Sequence, residues 1–217
     1  MGDGLREAGA LTPQAMARGI QCLRKFAAII ESHAVDMVDA VATSALRDAS
    51  NSDVFLKEAR ELGVPLRIID AEEEAKYALA GVLSGIEEPP VQAMVFDVGG
   101  GSLELINSNR GVLAETASLP TGIVYLTERY LQNIPTPSSQ VEACAGEILS
   151  MLKASSFSIP TDESVPIYGC GGVAVLAKFM CAGGEGEERI NGMTVPVCDV
   201  SKWVDKLSAL NWEDRSA

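Results

Sequence analysis

Residues 97–104 read D-V-G-G-G-S-L-E, and this segment is the most informative one for the fold. Short apolar runs flank it, over residues 93–98 and 103–107, and both are typical of strands. Three consecutive glycines leave a turn of bare backbone, whose N–H groups can approach a phosphate closely. The sequence therefore predicts a β-hairpin whose turn, Gly99 to Gly101, binds phosphate. A plain glycine-rich hairpin with a capping aspartate is the structural alternative.

Polar side chains next to this turn are suited to phosphate chemistry. Asp97 ends the predicted buried strand, where its carboxylate can hold a divalent cation directly or through water. The Ser102 hydroxyl can donate a hydrogen bond to a phosphoryl oxygen. Glu104 lies two residues beyond Ser102, so both side chains share one face of the outgoing strand. We therefore predict that Ser102 binds phosphate and that Asp97 binds a metal ion.

A second acidic segment reads I-D-A-E-E-E-A over residues 69–75. Asp70 and Glu73 fit a capping box that opens a helix over residues 71–84, and acidic residues in a first turn complement the helix dipole. This structural explanation accounts for most of the acidity but does not require Glu74. A carboxylate at Glu74, projected into a cleft, can activate water for attack on phosphorus. We predict Glu74 as the catalytic base.

Two further segments of the sequence favour phosphate binding. Arg47 is predicted in a polar turn after a strand over residues 35–42, where a guanidinium can fork onto phosphate oxygens. A solvated surface arginine is the alternative there. A second glycine-rich turn, G-C-G-G over residues 169–172, opens a helix whose N-terminus favours an anion, although close packing explains these glycines equally well. We predict Arg47, Gly171 and Gly172 as phosphate-binding residues.

Predicted strands and helices alternate along the chain, which is an α/β arrangement. Thr12 and Pro13 are typical of a helix start. A loop rich in glycine and glutamate, residues 183–188, leads to a small β segment, and Asp199 caps the final helix. The predicted helices cover residues 13–32, 71–84, 122–131, 138–154, 173–180 and 199–210, and a further helix is capped by Ser52 or Asp53 and closed by Gly63. The predicted strands cover residues 35–42, 65–69, 93–98, 103–107, 112–119 and 165–168.

Composition narrows the classes of function. The chain has 217 residues, 47% of them hydrophobic, which is enough to build a core and argues against disorder. The formal net charge of −13 disfavours nucleic acid and anionic membranes as partners. No apolar run approaches the roughly 20 residues that span a bilayer, and residues 1–20 do not resemble a signal peptide. We expect a cytoplasmic protein.

Cysteine and histidine usage narrows the chemistry. The five cysteines are scattered without a C-x-x-C pair, and His33 is the only histidine. This pattern disfavours a zinc site and a disulfide framework. One histidine also argues against Ser-His-Asp and Cys-His nucleophilic schemes. Acid–base chemistry is therefore expected from carboxylates.

Together these segments resemble the Ppx/GppA family of the actin-like ATPase (ribonuclease H-like) superfold, over nearly the whole chain. The resemblance is carried by V-A-T-S-A-L-R at 41–47, I-I-D-A-E-E-E-A at 68–75, the glycine turn at 97–104 and the later turn at 169–172. It implies a two-domain α/β phosphohydrolase with its site in the interdomain cleft. We expect residues 1–72 to be a remnant of domain I and residues 73–217 to be domain II, which carries the phosphate loop.

The resemblance also implies roles for individual residues. Glu74 matches the family's proposed general base, and Asp97 and Glu104 match carboxylates that are tied to Mg²⁺ and catalysis. The loop amides, Ser102 and Arg47 are expected to grip phosphate. The family's first phosphate loop, D-x-G-S-N-S, and its C-terminal helix have no counterpart within residues 1–217. We therefore expect an incomplete first domain and a chain that alone turns over poorly.

The expected activity is that of an exopolyphosphatase, releasing terminal orthophosphate from inorganic polyphosphate with Mg²⁺ as cofactor. Two alternatives stay open: a pppGpp 5′-phosphohydrolase, and a protein that binds polyphosphate or the alarmone without hydrolysis. A sugar or acetate kinase of the same superfold fits the E-E-A segment less well. The expected partners are thus polyphosphate or guanosine pentaphosphate, with neither nucleic acid nor membrane. A homodimer is one candidate for the oligomeric state.

Overall fold

The computed structural model describes residues 1–180 and 190–216. It divides into two compact units, Met1–Glu74 and Ala75–Ala217. The expected domain boundary after residue 72 lies in the same helix as the observed one, α5, which spans Ala71–Ser84. None of the described helices combines the length and apolar composition needed to cross a bilayer.

The first unit packs helices around a pair of short parallel strands. Its elements are α1 (Leu5–Ala8), α2 (Pro13–His33), β1 (Ala40–Ala42), α3 (Ser44–Asp48), α4 (Ser52–Glu61) and β2 (Leu66–Ile68). The predicted start of α2 is confirmed, because the Thr12 hydroxyl accepts a hydrogen bond from Ala15 N at 3.1 Å. Strands β1 and β2 pair from Ala40 opposite Leu66 to Ala42 opposite Ile68. The core of this unit includes Leu11, Ile20, Leu46 and Phe55.

Two predictions for the first unit are corrected. The strand expected over residues 35–42 forms only at its end, because β2 offers just three residues for pairing. Val35 and Met37 are instead exposed. Arg47 does not lie in an irregular turn: it belongs to α3, whose first turn closes where Thr43 O accepts from Leu46 N and Arg47 N.

The second unit is built on a four-stranded mixed sheet with order β5-β4-β3-β6. Strand β3 pairs antiparallel with β4 and parallel with β6, and β4 pairs antiparallel with β5. The predicted hairpin and return strand are confirmed. The strands are β3 (Gln92–Val98), β4 (Leu103–Asn109), β5 (Val112–Leu119) and β6 (Ile167–Gly171). The helices that follow α5 are α6 (Ile123–Tyr130), α7 (Ser138–Ala154), α8 (Val173–Met180), α9 (Val197–Ala209) and α10 (Trp212–Ser216).

Both faces of this sheet are covered, which places β3 in the centre of the unit. Val95 and Ile106 pack with Leu79 of α5 on one face. Because successive strand residues point to opposite faces, Met94 packs on the other side, in a cluster with Phe157. The middle of β3 is therefore packed on both faces of the sheet.

The C-terminal part departs from expectation. The glycine- and glutamate-rich loop predicted at 183–188 lies outside the described residues. Residues 190–196 form turn and coil rather than the expected small β segment. Helix α9 begins at Val197 after the extended Pro196, so Asp199 lies in its first turn rather than at its cap, and its carboxylate pairs with Lys202 at 2.7 Å.

Candidate active site

The predicted glycine turn joins β3 to β4. Val98 pairs with Leu103 as the last rung of the hairpin, and Gly99 N donates to Ser102 O at 2.9 Å. The turn is thus only four residues long, Gly99 to Ser102. Gly100 is exposed at its tip, whereas Ser102 is buried at its base.

Helix α6 fixes the orientation of this turn. Ile123 N donates to Gly99 O, and Val124 N donates to Gly100 O, both at 2.9 Å. The C=O and N–H of one planar trans peptide point in opposite directions. The N–H groups of Gly100 and Gly101 therefore face away from α6, side by side. Consecutive N–H groups on one side of a turn are the geometry of an anion-binding nest.

The two predicted metal-binding carboxylates lie at the base of the turn. Asp97 on β3 is directly opposite Glu104 on β4. The same row continues to Cys170 on β6 and to Ser118 on β5. Directly paired residues share a face of the sheet, so a polar row of four side chains crosses all four strands. The sequence prediction named two of these four.

Burial shapes the electrostatics of this row. Burial raises the pKa of Asp97 above its usual range, and a hydrogen bond from the Cys170 thiol offsets part of that shift. Burial, followed by the charge of Asp97, raises the pKa of Cys170 to about 12. The thiol of Cys170 is therefore protonated at neutral pH, and it donates to Phe96 O at 3.7 Å, next to the Asp97 carboxylate.

The carboxylate pair fits a magnesium ion. Glu104 is 1% exposed, and its Oε1 accepts from Ser118 Oγ at 3.0 Å. Buried carboxylates call for a compensating cation or hydrogen bonds. Within residues 1–180 and 190–216, no group of three or more Cys, His, Asp or Glu side chains is arranged to hold a metal. Two carboxylates suffice for Mg²⁺, which takes its other ligands from water and substrate phosphates.

The second glycine turn, at residues 169–172, packs against the Asp97 carboxylate. Gly172 N donates to Val98 O at 2.8 Å, which ties the end of β6 to the end of β3. Gly171 has a left-handed backbone, with φ +66°, and a Cβ added there would overlap the Asp97 carboxylate. Both glycines thus have a packing role in the structure. Their predicted contact with phosphate stays a prediction.

The predicted base lies in the first unit and is paired with the predicted phosphate-binding arginine. Arg47 Nη1 lies 3.2 Å from Glu74 Oε2, and the two side chains are 26% and 13% exposed. The same nitrogen donates to Ile69 O at 2.9 Å. Arg47 is therefore not a solvated surface residue, and it fixes the position of the Glu74 carboxylate.

The neighbouring acidic residues have other partners. Asp70 caps α5, accepting a hydrogen bond from Glu73 N at 2.8 Å, as predicted. The Glu73 carboxylate pairs with Arg67 at 2.7 Å. Glu74 is therefore distinguished from Glu73 by its partly buried arginine partner.

Comparison with known proteins identifies the family. The model of the Ppx/GppA phosphatase family matches residues 1–217. The chain belongs to this family. The Ppx/GppA match accords with the order of segments seen here: an arginine after the first strand, an E-E-A helix start and a D-x-G-G-G-S-x-E hairpin. The α/β fold predicted from the sequence is confirmed by the element order of the structure.

Solved structures of Ppx/GppA proteins agree. A family member from Aquifex aeolicus is 29% identical with a TM-score of 0.76, over 99% of this chain and 69% of that one. An exopolyphosphatase from Cytophaga hutchinsonii is 25% identical with a TM-score of 0.80, over 96% of this chain and 69% of that one. An exopolyphosphatase-like protein is 26% identical with a TM-score of 0.87, over 98% and 68%.

The sequence analysis missed the residues that support the site. Ile123 and Val124, whose backbones orient the glycine turn, were predicted only as part of a helix. Ser118 and Cys170, which complete the polar row, were given no role. The Pro120-Thr121-Gly122 breaker after a predicted strand was the available signal for a tight turn, but its proximity to Gly100 depends on the tertiary fold.

Proposed function

We propose that this Ppx/GppA protein is an exopolyphosphatase, which hydrolyses the terminal phosphoanhydride bond of inorganic polyphosphate and releases orthophosphate. The observation that carries the proposal is the nest of Gly100 and Gly101 amides next to the in-register carboxylates Asp97 and Glu104. Donors for phosphate and ligands for a cation occur together at the end of one hairpin.

An acidic chain can bind a polyanion only where hydrogen-bond donors or a cation offset the repulsion locally. The chain carries a net charge of −13, so long-range electrostatics repel the substrate. The amide nest supplies dipoles without side-chain charge, and the Ser102 hydroxyl and Arg47 add donors for phosphoryl oxygens. When bound at Asp97 and Glu104, Mg²⁺ supplies the positive charge that neutralises the phosphoryl oxygens.

Glu74 acts as the general base. Its carboxylate accepts a proton from water as the water oxygen attacks the terminal phosphorus. The bond from that phosphorus to the bridging oxygen breaks, orthophosphate leaves, and the chain is shortened by one unit. Arg47 holds the carboxylate in place during the transfer. Positioned bases of this kind contribute about 10²- to 10⁴-fold in rate.

Guanosine pentaphosphate, pppGpp, is the second candidate substrate. It presents the same terminal anhydride, so the nest and the carboxylates act on it in the same way. The similarity to an exopolyphosphatase of known structure makes polyphosphate the first candidate.

The test compares phosphate release by the purified protein from long-chain polyphosphate and from pppGpp, with Mg²⁺ and with excess EDTA. We expect Mg²⁺-dependent release that is faster on polyphosphate. Faster phosphate release from pppGpp would identify pppGpp as the substrate instead. Tight binding of polyphosphate in Mg²⁺ without any release would instead support a binding protein without hydrolytic activity.

A further inference from the structure

A turn whose last two residues are buried precedes α6 and lies against the glycine loop. After β5 the chain turns through Pro120, Thr121 and Gly122, where Thr121 N donates to Leu119 O at 2.7 Å. Thr121 and Gly122 are both buried, and Thr121 is 1% exposed. Pro120 is exposed, whereas Thr121 and Gly122 pack against neighbouring residues.

Glycine is required at position 122 because other backbone atoms lie close to it, and not because of its own backbone angles. Its φ of −71° and ψ of 167° are open to any residue. A Cβ added there, however, would overlap the carbonyl carbon and oxygen of Gly100 and the carbonyl carbon of Gly101. These are backbone atoms that have no rotamer by which to move aside. The absence of a side chain at Gly122 therefore lets α6 reach the loop.

The close approach of α6 lets the two residues after Gly122 bind the glycine loop. Ile123 N and Val124 N bind Gly99 O and Gly100 O, so each of two successive loop peptides has its carbonyl fixed by α6. Consecutive glycines have more backbone freedom than any other residues, and an unsupported loop would sample many orientations of its amides. The contacts select the orientation in which the amides of Gly100 and Gly101 point away from α6.

We infer that the segment Gly122–Val124 is a positioning element that preorganises the glycine loop for phosphate. The inference rests on the proposed function of that loop. A preorganised nest loses less conformational freedom on binding, so the phosphate is bound more tightly. The residues of this segment act through the loop and do not themselves need to touch the substrate.

Ile123 offers a substitution that removes one contact and preserves the helix. It is the first residue of α6, where proline is well tolerated. The extended backbone of Gly122 is also the conformation that a residue before proline adopts. Ile123→Pro thus deletes the N–H that holds Gly99 O. Ile123→Ala shortens the same side chain but keeps the N–H, and it is the matched control.

The experiment measures binding of inorganic tripolyphosphate with Mg²⁺ by calorimetry, after circular dichroism has established folding. We expect Ile123→Pro to bind about 10-fold more weakly or worse than Ile123→Ala, which corresponds to one lost positioning contact. KM for polyphosphate should rise in parallel. In ligand-free samples, the carbonyl ¹³C resonance of Gly99 should shift in Ile123→Pro and not in Ile123→Ala.

The outcomes separate this inference from the proposed function. Equal binding by the Pro and Ala variants, with wild-type binding intact, would overturn the positioning role alone. Failure of the wild type to bind tripolyphosphate would overturn the proposed function, and with it the role of the segment. Gly122→Ala provides a second variant, with Gly146→Ala as its control, because a Cβ at Gly146 meets no atom within 4 Å.

Discussion

Arg47 and Glu74 form an ion pair in which a single guanidinium nitrogen serves two acceptors. Arg47 Nη1 donates to Glu74 Oε2 at 3.2 Å and to Ile69 O at 2.9 Å. The contact connects α3 to the first turn of α5 and to the end of β2. The sequence predicted separate tasks for the two side chains, phosphate binding and base catalysis. The structure shows a further contact, because the arginine holds the Glu74 carboxylate in place.

Removal of Arg47 should therefore lower turnover itself. We expect Arg47→Ala to reduce kcat on polyphosphate by about 10²-fold, because a misplaced catalytic group costs on that order. Arg47→Lys keeps a charge without the fork and should recover only part of the loss. Arg67→Ala removes an exposed arginine that pairs with Asp39 and Glu73, and it should leave kcat unchanged. A rise in KM with unchanged kcat would assign Arg47 to ground-state binding alone.

Gly171 should be needed for the proposed metal site because it leaves room for Asp97. Gly171→Ala combines a strained left-handed backbone with a clash against the carboxylate, whereas Gly63→Ala, at φ +80° with open space, has the strain alone. Gly63→Ala should lose about 1–2 kcal/mol of stability, and Gly171→Ala should lose more because of its clash. Only Gly171→Ala should also need more Mg²⁺ for half-maximal phosphate release. Equal Mg²⁺ dependence in the two variants would contradict the packing described at Asp97.

The buried Asp97 carboxylate should lower the stability of the folded protein, although it is proposed to bind the metal ion. Because burial raises its pKa, the folded protein at neutral pH holds a desolvated charge that the unfolded chain hydrates freely. An acid with a raised folded pKa destabilises the protein above that pKa, and the cost disappears below the unfolded value of about 4. Asp97→Asn should therefore raise the thermal midpoint at pH 7 without Mg²⁺, raise it less as the pH falls toward 4, and abolish phosphate release. A lowered midpoint at pH 7 would argue against this account.

Cys170 should be a slow thiol. Its pKa of about 12 leaves a negligible thiolate fraction at pH 8. Exposed Cys22 and Cys198 should react first with iodoacetamide, and mass spectrometry can locate the labelled sites over time. Rapid labelling of Cys170 in the native protein would contradict the raised pKa of its thiol beside Asp97.

The local features of the site follow from sequence, whereas the contacts between them do not. The hairpin, its glycine turn and the cap at Asp70 are encoded within a few neighbouring residues, and the structure confirms them. The short β1 was overpredicted because the length of a strand depends on its partner, here only Leu66–Ile68. The Arg47–Glu74 pair joins residues 27 positions apart. No local sequence pattern predicts a contact between residues so far apart in the chain.

The support of the glycine loop is a second example. Gly122 resembles any glycine at a helix start, and its need for a missing Cβ arises only because Gly100 lies against it. The polar row across the sheet likewise depends on the parallel pairing of β3 with β6. Strand register is set by the packing of both sheet faces, which the sequence of one strand does not contain.

The most direct test of the central claim is phosphate release from polyphosphate by Glu74→Gln, with Glu73→Gln as the matched control. Glutamine keeps the shape of the side chain and cannot accept a proton from water. The account predicts a loss of about 10² or more in kcat for Glu74→Gln, with folding and tripolyphosphate binding retained, and near-normal release for Glu73→Gln. Release by Glu74→Gln at the wild-type rate would contradict it.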